Sequence, residues 1–219
     1  MSVRLRLDGL PIYTTKLPVS GKTIEFTPLV VRDEKNIAAA KETGQNHDGY
    51  NTLLRIIEEK ADIRTSKLSE TDIIHLLLEF RKKSVGEKFK TIFICPHSNE
   101  KITLDVDCGD ITLKGKSKKS QIKTDDLVIN LVIPKRFEDP TSGISSIETI
   151  DEKIDFDAIS VEERSALVEN LPISVKNDIT SAIKDLYHYN YTLKYTSSDV
   201  ERTMRLSSAE DFFTLLFVM

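Results

Sequence analysis

Apolar positions in this chain follow two periods, and the periods come in blocks. Near the start, Ile12 to Leu17 and Thr23 to Phe26 are short β-prone runs. They are joined by the turn cluster Pro18-Val19-Ser20-Gly21 and closed by Pro28, which predicts a β-hairpin. Helical spacing then takes over. Ile37 and the alanines at 38, 39 and 40 lead to Gly44, a residue suited to the position just past a helix end. Tyr50, Leu53, Leu54 and Ile57 stand at i, i+3, i+4 and i+7, one buried face of a second helix. Ser69, with Asp72 three residues on, caps a third. Behind it Ile73, Ile74, Leu76, Leu77, Leu78 and Phe80 are apolar on most sides, as in a helix at the centre of a core or against a partner.

The middle of the chain changes to period two. Phe89 to Cys95, and Ile102, Leu104 and Val106, flank Pro96 to Lys101 as two strands of a hairpin, the second alternating as a half-buried strand does. Leu127 to Ile133 reads as a continuous apolar strand stopped by Pro134. Lys114 to Ser120 is a basic turn between the two regions. Helical signals return late. Ser160 with Glu163 forms a capping box. Ser174 opens a helix whose Val175, Ile179, Ala182, Ile183 and Leu186 share one face. Tyr189, Tyr191, Leu193 and Tyr195 alternate as a strand with one aromatic face. Ser207 and Glu210 form another capping pair before an apolar end running to Met219.

Segregated rather than alternating helix and strand blocks define an α+β fold. The expected order is an N-terminal β-hairpin, a helical layer from about Val31 to Lys83, an antiparallel sheet from about Phe89 to Pro134, then a mainly helical C-terminal part. Pro140, Thr141, Ser142 and Gly143, followed by acidic residues, mark a composition change. The domain expectation is therefore an α+β domain over 1–136, an acidic linker over 137–158 and a C-terminal helical subdomain over 159–219.

Bulk properties narrow the function by exclusion. The net charge is −4 with no basic excess, so nothing global draws the chain to nucleic acid or an anionic membrane. No apolar run approaches the roughly 20 residues of a membrane helix, and Met1 to Arg6 lacks the apolar stretch of a signal peptide. Two cysteines, Cys95 and Cys108, fit a reducing compartment. The expectation is a soluble intracellular protein.

Candidate chemistry is sparse. Cys95, His97 and Cys108 are the metal-capable residues, but Ser98 stands where a zinc knuckle needs its second ligand. A metal-free hairpin tip is the expectation, and a zinc site completed at an interface is the alternative. No G-x-S-x-G elbow, phosphate loop or dinucleotide fingerprint occurs, so no enzyme and no cofactor are expected. His75, inside an apolar helix, reads as a hydrogen-bonded core or interface group. The lysines from 114 to 119 read as a solvated tip or a dock for an acidic neighbouring subunit. At the C-terminus, Phe212, Leu215, Leu216 and Met219 make one stripe while Phe213 and Phe217 occupy the other side. A helix apolar all round must be covered, by this chain's core or by a partner. The partner reading assigns an interface of Phe212, Phe213, Leu216, Phe217 and Met219.

One segment is more specific than the rest. Phe80-Arg81-Lys82-Lys83-Ser84-Val85-Gly86-Glu87 ends an apolar helix, and Ile94-Cys95-Pro96-His97 ends the strand that follows. This order resembles the baseplate hub subunits of T4-like contractile-tailed phages, in which a helix with an R-x-K-S-x-G-E ending leads into a strand and a C-P-x-C hairpin. Here Ser98 replaces the second cysteine. The resemblance implies a non-enzymatic structural protein of the virion tail baseplate, assembled in the host cytoplasm. Its partners would be other hub and tail proteins or copies of itself, with no small-molecule substrate, membrane or nucleic acid. Two alternatives accompany it: a tail assembly chaperone absent from the mature virion, and a zinc-ribbon-like nucleic-acid binder. In the motif, Ser84 to Glu87 is expected to be a tight turn with Gly86 at positive φ.

Overall fold

A computed structural model describes residues 9–42, 47–135 and 140–217, with side chains from 142 onward in the last segment. The chain opens with an antiparallel hairpin of β1 (Tyr13–Lys16) and β2 (Thr23–Phe26). Its inward alternation puts Ile24 and Phe26 in the core, and the Phe26 ring lies 4.5 Å from that of Phe80. Three helices follow: α1 (Val31–Glu42), α2 (Asp48–Ala61) and α3 (Glu70–Ser84). Asp33 accepts the Val30 N–H at 2.8 Å at the start of α1 and pairs with Lys60 Nζ at 3.0 Å, tying α1 to α2. The Ser69 hydroxyl accepts the Asp72 N–H at 3.2 Å, the cap expected from the sequence. Gly44 lies outside the described residues.

After α3, strands β3 (Lys88–Ile94) and β4 (Lys101–Asp107) form the expected hairpin, a two-stranded ribbon. A short strand β5 (Leu113–Lys114) leads into a four-stranded antiparallel sheet. Its strands are β6 (Lys119–Lys123), β7 (Val128–Val132), β8 (Ile144–Glu148) and β9 (Lys153–Asp155), side by side in that order. Helices α4 (Val161–Glu169) and α5 (Ile173–Lys184) come next, α4 opened by the full capping box of Ser160 and Glu163. Strand β10 (His188–Tyr189) returns to pair with β5. A second ribbon, β11 (Tyr191–Ser197) with β12 (Val200–Leu206), turns through Ser198 and Asp199, both at positive φ. Helix α6 (Ala209–Phe217) ends the described chain. This is the expected α+β fold. No helix among the described residues is long and apolar enough to cross a membrane.

Two apolar cores organise these elements. The first unites the N-terminal hairpin, α1 to α3, α6 and the inward residues Val106, Leu193 and Leu206 of the two ribbons. The second packs Ile129, Leu131 and Ile147 of the sheet, with Phe156, against Val175, Ile179 and Ile183 of α5. The cores therefore divide the chain differently from the expected boundaries at 136 and 159. The stretch expected as a linker supplies β8 and β9 to the sheet, and α5 closes the sheet's core rather than joining α6. The second core is an insertion, entered after β5 and left before β10. At the crossing, Gly115 sits at φ +94, where a Cβ would lie 2.2 Å from the Leu186 carbonyl oxygen, so only glycine lets the two strands pass. The Lys116 N–H donates to the Asp185 carbonyl and the Tyr187 N–H to the Ser117 carbonyl, each at 2.8 Å.

The turn after α3 is as expected. Gly86 has φ 132, and the N–H groups of Val85 and Gly86 both return to the Arg81 carbonyl, closing the helix before β3 begins.

Candidate docking surfaces

The metal-capable residues are separated by the ribbon that carries them. The β3–β4 register pairs Ile94 with Lys101 at the tip and Lys88 with Asp107 at the base. Cys95 thus sits at one end and Cys108 at the other, about 25 Å apart at the usual strand rise. Both thiols are buried and free, and among the described residues no group of three His, Cys, Asp or Glu could hold a metal. Cys95 faces the Tyr195 hydroxyl at 3.7 Å. Hydrogen bonds from Ser197 and Ser98 draw its thiol down to about 6, against burial, which opposes the thiolate. Burial pushes the Cys108 thiol up.

The expected anchor at the C-terminus is corrected by its burial. Phe212, Phe213, Leu216 and Phe217 are all buried in this chain's first core, with Phe212 at 0% exposure. Helix α3 packs its buried Ile74, Leu77 and Leu78 into the same core and covers the side that seemed to need a partner, while Tyr50 of α2 meets Phe213 with ring centres 5.7 Å apart. Met219 lies outside the described residues. The cap of α6 also shifts by one residue. Ser208 and Asp211, not Ser207 and Glu210, bond each other's backbone N–H groups, at 3.1 and 3.0 Å. Glu210 instead meets His47 Nδ1 at 3.0 Å on the surface.

The polar residues of α3 are fasteners. Glu70 accepts the Ala209 N–H at 2.8 Å, holding the start of α6. The Thr71 hydroxyl donates to the Tyr187 carbonyl at 2.8 Å, where the inserted module rejoins. Asp72 accepts the N–H groups of Val19 and Ser20 at 2.8 and 3.0 Å, fixing the first turn. His75 lies between Thr15 Oγ1 (2.8 Å) and the Tyr189 hydroxyl (2.9 Å), the hydrogen-bonded core role expected for it; burial lowers its pKa.

Surfaces lie elsewhere, on the β elements. In the β3–β4 ribbon the residues facing away from the core form an exposed row: Lys88, Lys90, Ile92 and Ile94. Lys88 and Lys90 pair across the ribbon with Asp107 (3.4 Å) and Asp105 (3.9 Å), leaving the isoleucines, 57% and 60% exposed, toward the tip. The other face packs on the second ribbon, with Phe93 edge-on to Tyr195 at 4.9 Å. At the tips Glu100 clamps the two ribbons together. It accepts the Ser197 hydroxyl at 2.6 Å, the Ser198 N–H at 3.0 Å and the Ser98 hydroxyl at 3.2 Å. These bonds, Ser197's foremost, lower its pKa.

The second β surface is the face of the four-stranded sheet away from α5. A polar chain crosses all four strands. Gln121 Nε2 donates to Asn130 Oδ1 at 2.8 Å, and Asn130 Nδ2 donates to Ser146 Oγ and Glu148 Oε1 at 2.9 Å each. Lys153 Nζ closes the chain on Glu148 at 2.7 Å. Sequence reasoning missed this set. The available signal was Asn130, a polar residue inside the run from Leu127 to Ile133.

Fasteners thus lie inside, and exposed apolar and charged rows lie outside on the β elements. The model of the T4 bacteriophage base plate protein family matches residues 10–214, nearly the whole chain, and the chain belongs to that family. It is accordingly a structural baseplate protein of a phage tail, at work among other tail proteins. Comparison with curated proteins and with solved structures gave no match.

Proposed function

We propose that the chain is a non-enzymatic structural subunit of the baseplate hub, docking onto neighbouring hub and tail proteins as the baseplate assembles in the host cytoplasm. The observation that carries the docking role is the pair Ile92 and Ile94, side by side on the outward face of a ribbon whose inner face already serves the core. Two β-branched residues with more than half their surface open to water contribute little to this chain's own burial. Covering the remainder of each on a partner is worth about 1 to 2 kcal/mol, and the flanking Lys88–Asp107 and Lys90–Asp105 pairs set register at the rim. The assembly-chaperone alternative rested on an exposed C-terminal helix, and α6 is buried. The zinc-ribbon alternative rested on the knuckle-like turn Cys95 to Ser98, where Ser98 donates to Glu100, and the other cysteine, Cys108, lies at the far end of the ribbon.

The test is the double substitution Ile92→Glu with Ile94→Glu. The expected result is parental melting, within about 0.5 kcal/mol as for surface changes, with loss of the chain from purified baseplates. Incorporation at the parental level would remove this face from the docking role. Absence of the parent chain from purified particles would overturn the structural reading itself.

A further inference from the structure

We infer that the four-stranded sheet continues from one copy of this chain into the next, the edge strand β6 joining the edge strand β9 of its neighbour. The strand order leaves β6 and β9 paired on one side only. An antiparallel ladder alternates residues that bond inward with residues that turn their backbone groups away. The Thr124 N–H bonds the Leu127 carbonyl at 2.8 Å and the Thr149 N–H bonds the Glu152 carbonyl at 2.7 Å, which fixes the phase on each edge. Lys119, Gln121 and Lys123 on β6, and Lys153 and Asp155 on β9, therefore point their N–H and C=O groups outward. At the start of the β6 edge the Lys119 carbonyl takes the Ser117 hydroxyl at 2.6 Å and Ser117 bridges Leu186, so Gln121 and Lys123 are the open positions. Neither edge is blunted by proline or a bulge; the register irregularity lies inside, between Asn130 and Leu131 of β7. With four strands the two edges run antiparallel to each other, so a neighbour added head to tail extends the same ladder with α5 on the same side.

Charge selects the neighbour. Lys118, Lys119 and Lys123 line the β6 edge, exposed, and form no ion pair among the described residues. Beside β9 lie Asp151, Glu152, Asp155, Asp157 and Glu162, also exposed, while the cations there, Lys153 and Arg164, are held by Glu148 at 2.7 Å and Asp157 at 4.0 Å. Asp125 and Asp126 at the β6–β7 turn are the acidic exceptions on the basic side. With two sheets level, the registers set Lys119 of one copy beside Asp157 of the next, Gln121 beside Asp155 and Lys123 beside Lys153, so the attraction is concentrated at the Lys119 end while Lys153 stays held by Glu148. The polar chain from Gln121 to Lys153 runs to both edges and would continue across the joint. Because the two joining surfaces differ, the contact is heterologous, and the sheet's twist closes such a series into a ring or opens it into a helix.

The experiment follows the mass distribution of the full chain over a concentration series. The parent should form oligomers whose apparent Kd weakens about tenfold or more between about 0.1 M and about 1 M salt, as the Debye length falls from about 10 to about 3 Å. Lys119→Glu with Lys123→Glu, and separately Asp151→Lys with Glu152→Lys, should each be monomeric with parental melting. Mixed one to one, the two variants should assemble, since one then carries two acidic edges and the other two basic edges. Gln121→Pro tests the backbone: proline is tolerated at an outward edge position, so the chain should fold but not assemble. A parent that stays monomeric throughout, variants that assemble as the parent does, or binding only to a different tail protein would each overturn the inference.

Discussion

Glu100 fastens the two ribbons at their tips, because four donors from both hairpin tips converge on its two oxygens. All of these bonds favour the carboxylate, so its folded pKa lies below the unfolded value of about 4.3. A depressed carboxylate contributes stability that is fully present above the unfolded pKa and lost as pH falls through the folded one. Melting of the parent should therefore decline below about pH 4.5, and Glu100→Gln should flatten that limb while leaving the neutral-pH fold intact. An acid limb of unchanged slope in Glu100→Gln would show that the clasp does not titrate. None of this was legible in the sequence, since Ser197 stands 97 residues from Glu100. Local partners were legible: Ser69 with Asp72 and Ser160 with Glu163 bond as their spacing implies. The cap of α6 failed because Ser207–Glu210 and Ser208–Asp211 share that spacing, and only side-chain geometry separates them.

Among the elements, the turn from α3 into β3 was readable from one motif because its requirement is backbone, not packing. At φ 132 Gly86 has open space around it: a Cβ there would meet nothing within 4 Å. Gly86→Val should then cost roughly 1 to 3 kcal/mol through backbone strain alone. Gly86→Ala should cost nearly as much, since side-chain size has nothing to clash with. Denaturant midpoints at constant slope would measure both, and a change within error of zero would make the turn ordinary. Helix α6 was the opposite case. Its apolar stripes were plain in the sequence, but the element that covers them was not. Helix α3 is itself apolar on most sides, and two such helices satisfy each other without any outside partner. An apolar helix therefore reveals that it is covered, not by what.

At the scale of the molecule, one module is inserted into another, and the sequence hid this for a physical reason. Pro140 to Gly143 has the composition of a linker, yet it joins β7 to β8 inside one sheet, while the true crossing at Gly115 lies in a basic run that reads as an ordinary turn and the one at Leu186 carries no composition change. Among the described residues the two cores meet at the Thr71–Tyr187 hydrogen bond, the paired strands β5 and β10, and Val19 against the second core. Thin joints of this kind let modules open separately, so the cores should respond to damage one at a time. Phe212→Ala removes a fully buried ring from the first core and Ile147→Ala a buried side chain from the second. Each should cost its own core about 2 to 5 kcal/mol. Amide hydrogen exchange separates the two. In Phe212→Ala, protection at Leu77 and Leu78 of α3 should fall by about thirtyfold or more, while Ile129 and Leu131 of β7 stay within about threefold of the parent. Ile147→Ala should give the mirror image. If either substitution lowers protection in both sets by the same factor, the crossing strands couple the cores into one cooperative unit, and the inserted module is not an independent part.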